Sequence, residues 1–227
     1  MSNTAPRIAL IHALAHSVAP INEAMHQQWP QAVRMNLLDD SLSADLAAQS
    51  AGLNDAMTQR FLDLASYAVA TGAHAVLFTC SAFGPCIEAV ARAHPTVPVL
   101  KPNEAMVAEA LAVQQGNPAP VGLIASFAPT LASMPSEFGA GASLQTALVE
   151  PALVALNEGR LGDHDAAVLA AAKELVANGC GVIALAQFSM ARAASLLRRE
   201  LHVPVLTTPD SAIRRLQLRL QGSSSKA

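Results

Sequence analysis

Aromatic residues are scarce in this chain: six Phe, one Trp and one Tyr among 227 residues. Positive charge is scarce as well, with fourteen Lys and Arg against seventeen Asp and Glu for a formal net charge of −3, and no basic stripe gathers along the sequence. The two shortages together exclude a nucleic-acid surface, which needs phosphate-neutralising cations and stacking rings. Long apolar runs are also lacking. Hydrophobic residues make up 52% of the chain, but Gly, Pro or charge interrupts every run short of the roughly twenty residues of a membrane span. No membrane partner is expected, and the chain reads as soluble. Three cysteines cannot all pair, so no disulfide framework is expected and each thiol is weighed as a packing residue or a nucleophile. The first residues lead straight into Ile8–Ile11 without a basic segment followed by an apolar one, which makes a cytoplasmic location the expectation.

What the chain does contain is a segment written twice. Ala73-His-Ala-Val-Leu-Phe-Thr-Cys80-Ser-Ala-Phe is matched by Cys180-Gly-Val-Ile-Ala-Leu-Ala-Gln187-Phe-Ser-Met. The next apolar run is Val97-Pro-Val-Leu100 in one copy and Val203-Pro-Val-Leu206 in the other. Each copy reads as strand, polar turn, helix and next strand; the length suits either one large α/β domain or two lobes of about a hundred residues, and the repeat favours two lobes. The copies differ at the strand tip, where one has Cys80 and the other Gln187.

Short apolar runs bounded by Gly, Pro or polar residues mark eight strands: Ile8–Ile11, Val33–Leu37, Ala75–Thr79, Val97–Leu100, Val121–Ala125, Leu144–Val149, Val182–Ala186 and Val203–Leu206. Helical spacing of Ala and Leu marks Ala56–Ala70, Ala105–Val113, Asp165–Ala177 and Ala191–Leu201 between them. Ser17 with Pro20, Gly84-Pro85, and Ser189 as an N-cap read as helix starts; Gly72, Gly116 and Gly179 read as stops. Alternating strands and helices predict an α/β fold of two similar lobes, each a four-stranded, mainly parallel sheet flanked by helices. The lobes are expected to be related by an approximate two-fold, with a cleft between them. The expected division is 1–101 with 208–227 against 102–207, crossing at Lys101-Pro102-Asn103 and Thr207-Thr-Pro-Asp210. A last helix, Ser211–Leu220, is expected to pack on the first lobe, with 222–227 as a frayed tail. Right-handed crossovers put every strand-to-helix turn at the carboxyl edge of its sheet, where open α/β folds bind ligands.

Cys80 therefore sits where chemistry is expected. Unpaired N–H groups and a helix dipole there favour thiolate and are expected to lower the thiol pKa; the alternative is a buried cysteine acting as a small hydrophobe. Ser81, Ala82, Ser126, Thr130 and Ser189 lie in strand-tip turns whose hydroxyls and N–H groups can cradle a carboxylate, although each serine can equally serve as an N-cap. His12 ends the first strand, with Ser17 in the next turn, and reads as an acid, a base, a carboxylate partner or a structural histidine. Phe83, Phe127 and Phe188 follow three strand tips and line an apolar subsite or belong to the core. Cys86 reads as a packing residue, with a resolving thiol as the alternative. Cys180 and His74 precede their strands at the far edge, and Arg192 reads as a solvated helix arginine or an anion guide. The other histidines lack ligand spacing, so no metal site is expected. Gly139-Ala-Gly141 and Gly179-Cys-Gly181 do not join a strand to a helix, so no nucleotide cofactor is expected.

The paired turns Thr79-Cys80-Ser81 and Ala186-Gln187-Phe-Ser189 resemble the active-site motifs of the aspartate/glutamate/hydantoin racemase superfamily, and the similarity runs from Arg7-Ile-Ala-Leu-Ile-His12 to the last helix. The resemblance implies a cofactor-independent enzyme in which two cysteines, one per lobe, flank a substrate carbon and pass protons to and from it. Cys80 matches the first of these positions. Gln187 stands at the second, and an amide neither takes nor gives a proton near neutral pH. The resemblance further implies a small carboxylate substrate held by the strand-tip turns, and with the apolar composition it is compatible with a homodimer.

The expected function is therefore proton transfer by Cys80 at a carbon next to a carboxylate or carbonyl of a small acid, as in an aspartate/glutamate racemase-like isomerase. Gln187 would orient the carboxylate or carbonyl. Two alternatives stand beside it. One is a single-cysteine decarboxylase of the arylmalonate decarboxylase type, a relative whose cysteine lies in the other lobe. The other is a non-catalytic binding protein for a small acid.

Overall fold

The central strands of this protein are buried along nearly their whole length, as in parallel sheets covered by helices on both faces. The computed structural model describes residues 5–49 and 52–224. The chain divides into two compact units, one running up to Pro102 and resuming at Ala212, the other Asn103–Ser211. The first unit has strands β1 (Arg7–His12), β2 (Val33–Leu38), β3 (Ala75–Phe78) and β4 (Val99–Leu100) in the order β2-β1-β3-β4, all parallel. The second has β5 (Val121–Ala125), β6 (Leu144–Leu148), β7 (Val182–Leu185) and β8 (Val205–Thr207) in the order β6-β5-β7-β8, also all parallel. β4 and β8 start later than the sequence suggests, each immediately after a proline, Pro98 or Pro204. Proline has no N–H to give a ladder.

Helices flank both sheets. In the first unit they are α1 (Val18–Gln28), α2 (Ser41–Ala48), α3 (Asp55–Ala70) and α4 (Gly84–Ala93). In the second they are α5 (Glu104–Gly116), α6 (Ala128–Ser133), α7 (Glu150–Asn157), α8 (Leu161–Ala177) and α9 (Ala194–Glu200). The last helix, α10, spans Thr208–Ser224. It runs past the expected end at Leu220, so 222–224 are helical; the remainder of the expected tail, and the first four residues, lie outside the described residues. Ser211 donates to the Glu109 carboxylate at 2.6 Å and Asp210 pairs with Arg198 at 2.8 Å, which gives the first turn of α10 its partners in the second unit.

The repeat extends to the helices that precede β3 and β7. α3 buries Met57, Phe61, Ala65 and Ala68, and α8 buries His164, Val168, Ala172 and Leu175, the same stripe at helical spacing. Each helix ends in a glycine at positive φ, Gly72 at 88° and Gly179 at 92°. Closing bonds run from Gly72 N to Val69 O and Ala73 N to Ala68 O, and from Gly179 N to Val176 O and Cys180 N to Leu175 O. A left-handed residue is needed at that point, and only glycine enters that conformation without a Cβ clash. The β3 tip lies above an aromatic core in which Phe61 meets Phe78 at 5.2 Å and Phe83 at 4.9 Å between ring centres. Burying each ring stabilises the unit by about 2–3 kcal/mol.

Candidate active site

β3 hands the chain from Phe78 through Thr79 to Cys80, which is extended at φ −125° and ψ 123°. A short 3-10 turn, Ser81–Phe83, follows, and α4 opens only at Gly84 with Pro85 in its first turn. The thiol is partly buried in a narrow crevice walled by Ala13, Leu42, Phe61 and Phe78. These walls correct the expectation of a lowered pKa. Burial pushes the Cys80 thiol up, against the lowering influence of the Ala82 N–H and of the nearby Ser43 hydroxyl. The dipole invoked from the sequence belongs to a helix that starts four residues further on, at Gly84, and dipole effects fade within a turn.

Ser43 was not singled out in the sequence. It lies on α2, donates to Ala13 O at 2.9 Å, and so ties α2 to the turn after β1. No motif marks it, since only the folded chain brings α2 to β3.

His12 has a different place from the one expected of a substrate contact. It is fully buried, with Nδ1 2.9 Å from the Thr79 hydroxyl and Nε2 3.0 Å from Asn36 Oδ1. Asn36 in turn exchanges bonds with Asn22. Asn36 Oδ1 only accepts, so Nε2 carries the proton and Nδ1 receives the Thr79 O–H. Burial lowers the imidazole pKa against the raising effect of the Asn36 bond. His12 is a neutral brace behind the Cys80 turn, and both ring nitrogens are occupied. Ser17 is buried at the N-cap of α1 and makes no side-chain cap bond.

The second unit repeats the geometry with other side chains. Thr79 N bonds Ile11 O at 3.0 Å, and Ala186 N bonds Ile124 O at 2.9 Å. Asp39 N bonds His12 O and Val149 N bonds Ala125 O in the same way. In this register Gln187 takes the place of Cys80 and Ser126 the place of Ala13. Gln187 Oε1 accepts from the Ser126 N–H at 2.6 Å and from the Ser126 hydroxyl at 3.0 Å. Two donors on one atom identify it as the oxygen. Among the described residues the Gln187 NH2 meets no acceptor. Ser126, expected as a direct cradle, is buried and directs its hydroxyl to Gln187.

Ser189 is not an N-cap. A 3-10 turn spans Phe188–Ala193 with Gln187 at its cap, and Ser189 is buried within it. Thr130 is buried in the first turn of α6. Phe83 and Phe188 belong to the cores, whereas Phe127 stays 44% exposed. Arg192 is not a free anion guide: its Nε and a terminal nitrogen grip Asp165 at 2.8 and 3.1 Å. Burial disfavours the Asp165 carboxylate, but bonds from Arg192 and from His164 Nδ1 at 2.7 Å outweigh it and hold the carboxyl below its ordinary pKa. This pair ties the turn after Gln187 to α8. Cys86 is buried in α4 with the Thr58 hydroxyl 3.5 Å from its sulfur. Cys180 is buried ahead of β7, and its thiol pKa is raised by that burial. His74 Nδ1 accepts from the Arg7 N–H at 3.0 Å at the opposite sheet edge. Among the described residues no three His, Cys, Asp or Glu side chains gather as a metal set, and no helix is long and apolar enough to cross a membrane.

The model of one protein family, Asp/Glu/hydantoin racemase, matches residues 13–216. The chain belongs to this family. Its fold is similar to allantoin racemase from Klebsiella pneumoniae, with a TM-score of 0.67, 18% identity, and coverage of 96% of this chain and 88% of that one. It is also similar to a glutamate racemase isoform from Bacillus anthracis, with a TM-score of 0.70, 15% identity, and coverage of 97% and 83%. A glycine-to-cysteine mutant of arylmalonate decarboxylase in its sulfate-associated form gives a TM-score of 0.61 at 15% identity, covering 96% and 94%. A search of curated proteins finds no match. The protein is thus a racemase-like member of a group whose solved folds include racemases and a decarboxylase.

Proposed function

We propose that this protein is a cofactor-independent enzyme that moves a proton to or from one face of a carbon next to the carboxylate or carbonyl of a small acid. Cys80 is the proton carrier, and Gln187 holds a substrate oxygen. The observation that supports this reading is the register equivalence of Cys80 and Gln187 at the tips of β3 and β7, places where the family resemblance implies a pair of thiols. A second thiol would complete a two-base racemase; an amide leaves one acid and one hydrogen-bond donor.

The raised thiol pKa supports delivery over removal as the resting role of Cys80. A thiol kept protonated is ready to give its proton to carbon. In decarboxylation the electrons of the C–CO2 bond pass to the substrate carbon, carbon dioxide leaves, and the Cys80 S–H proton forms the new C–H bond. Solvent then reprotonates the thiolate. Without loss of carbon dioxide, the Cys80 thiolate takes a proton from carbon and, after exchange with solvent, the thiol returns one to the same face, which exchanges the hydrogen with retention of configuration. We propose a cytoplasmic location, supported by three free thiols, and a homodimer.

Small mono- and dicarboxylic acids that stabilise the protein in a thermal-shift screen are to be incubated with it in heavy water. Deuterium at the substrate carbon without carbon dioxide marks proton exchange, and deuterium with carbon dioxide marks decarboxylation. Stabilisation with neither product, in a protein whose Cys80 gains no protection from alkylation in alkaline buffer when that acid is bound, would make it a binding protein instead.

A further inference from the structure

We infer that Ser126 is a positioning residue: its N–H and hydroxyl lock the oxygen of Gln187, so that the Gln187 NH2 is presented as a fixed donor to a substrate carboxylate oxygen. The inference rests on the proposed function for the identity of the ligand and on the second unit alone for the geometry.

Three observations carry it. The bonds of 2.6 and 3.0 Å converge on a single oxygen, which fixes the terminal torsion of a side chain that otherwise rotates broadly. Ser126 is 1% exposed, so water does not compete for these bonds. The pairing also differs between the copies within the chain. Ser126 stands beside Gln187, whereas Ala13, which has no hydroxyl, stands at the matching place beside Cys80. A donor held in place loses little entropy on binding and needs little reorganisation when charge arrives. Ser126 acts through Gln187 and need not touch the ligand.

Nuclear magnetic resonance on the 15N-labelled full chain tests this, with the Gln187 side-chain NH2 signals assigned by their loss in Gln187→Ala. In the wild type the heteronuclear NOE of this NH2 is expected to be high. It is expected to fall in Ser126→Ala and to recover in Ser126→Thr, which keeps the hydroxyl. An unchanged NOE in Ser126→Ala overturns the inference. Should Ser126→Ala fail to fold, Ser126 N–H exchange serves instead: slow in the wild type and much faster in Gln187→Ala, with equal rates overturning the inference. Sodium malonate is then added. Shifts of the Gln187 NH2 whose half-saturating concentration rises about fivefold in Ser126→Ala support the donor role, and equal concentrations overturn it. If malonate and the other small acids leave both this NH2 and Cys80 alkylation unchanged while Ser126→Ala still frees the amide, the proposed function falls and the positioning of Gln187 by Ser126 stands.

Discussion

His12 Nδ1 stands 2.9 Å from the Thr79 hydroxyl, so the buried end of β1 braces the residue immediately before Cys80. His12→Ala removes the partner of two polar groups and is expected to cost about 2–4 kcal/mol, read as a lower urea midpoint. The wild-type imidazole has its pKa lowered from 6.5 in the fold. The unfolded chain therefore binds more protons as pH falls past that value. Stability is full above it and declines as the pH drops through the depressed folded value. Urea midpoints across this range should show a slope in the wild type that is reduced in His12→Ala; equal slopes would remove His12 as the source.

Cys80 should alkylate slowly near neutrality, because burial raises its thiol pKa. Rates with iodoacetamide, mapped by peptide mass, are expected to rise only in alkaline buffer. Ser43→Ala deletes one of the groups opposing the raised pKa, since the Ser43 hydroxyl can turn from Ala13 O toward the thiolate, so its profile should move further up in pH. A shift in the opposite direction would mean that the Ser43 hydroxyl does not stabilise the thiolate.

Much of this arrangement is legible in the sequence. Six β-strands show because each is a short, largely buried run with a Gly, Pro or polar boundary. The edge strands β2 and β6 show by their apolar residues although they stay partly exposed, and the repeat shows because Gly72 and Gly179 close equivalent helices. α2 escapes notice, since Ser41–Ala48 is short and buries only Leu42. The 3-10 turns after Cys80 and Gln187 look like helix starts because Gly84-Pro85 and the Ala-rich stretch at 191–194 follow so closely. The thiol pKa is misjudged for a related reason: proximity to a helix can be read from order along the chain, whereas desolvation by Leu42 and Phe61 arises only when distant segments meet. Ser43 and the bond between Ser126 and Gln187 are tertiary facts of the same kind.

Asp165→Asn is expected to lower stability by about 1 kcal/mol, since the pair with Arg192 is bidentate but partly solvated. Because Arg192 lies in the turn after Gln187, the same variant should weaken small-acid protection of the protein. In a double-mutant cycle with Arg192→Ala the two losses should not add. Full additivity would show that the pair contributes nothing.

Gln187→Cys restores a thiol opposite in sequence role to Cys80 and frees the Ser126 N–H and hydroxyl to stabilise its thiolate. Proton delivery from a second face is then expected, seen by chiral chromatography as loss of optical purity in a product the wild type makes as one enantiomer. An unchanged enantiomeric ratio would count against placing Gln187 and Cys80 on the same substrate carbon.

The most direct test is solvent deuterium incorporation into a small acid that binds, compared between the wild type and a folded Cys80→Ala variant. A single deuterium in one enantiomer from the wild type, and none from Cys80→Ala, is the predicted result. Undiminished incorporation by Cys80→Ala, or a racemic deuterated product from the wild type, would contradict a one-faced transfer through this sulfur.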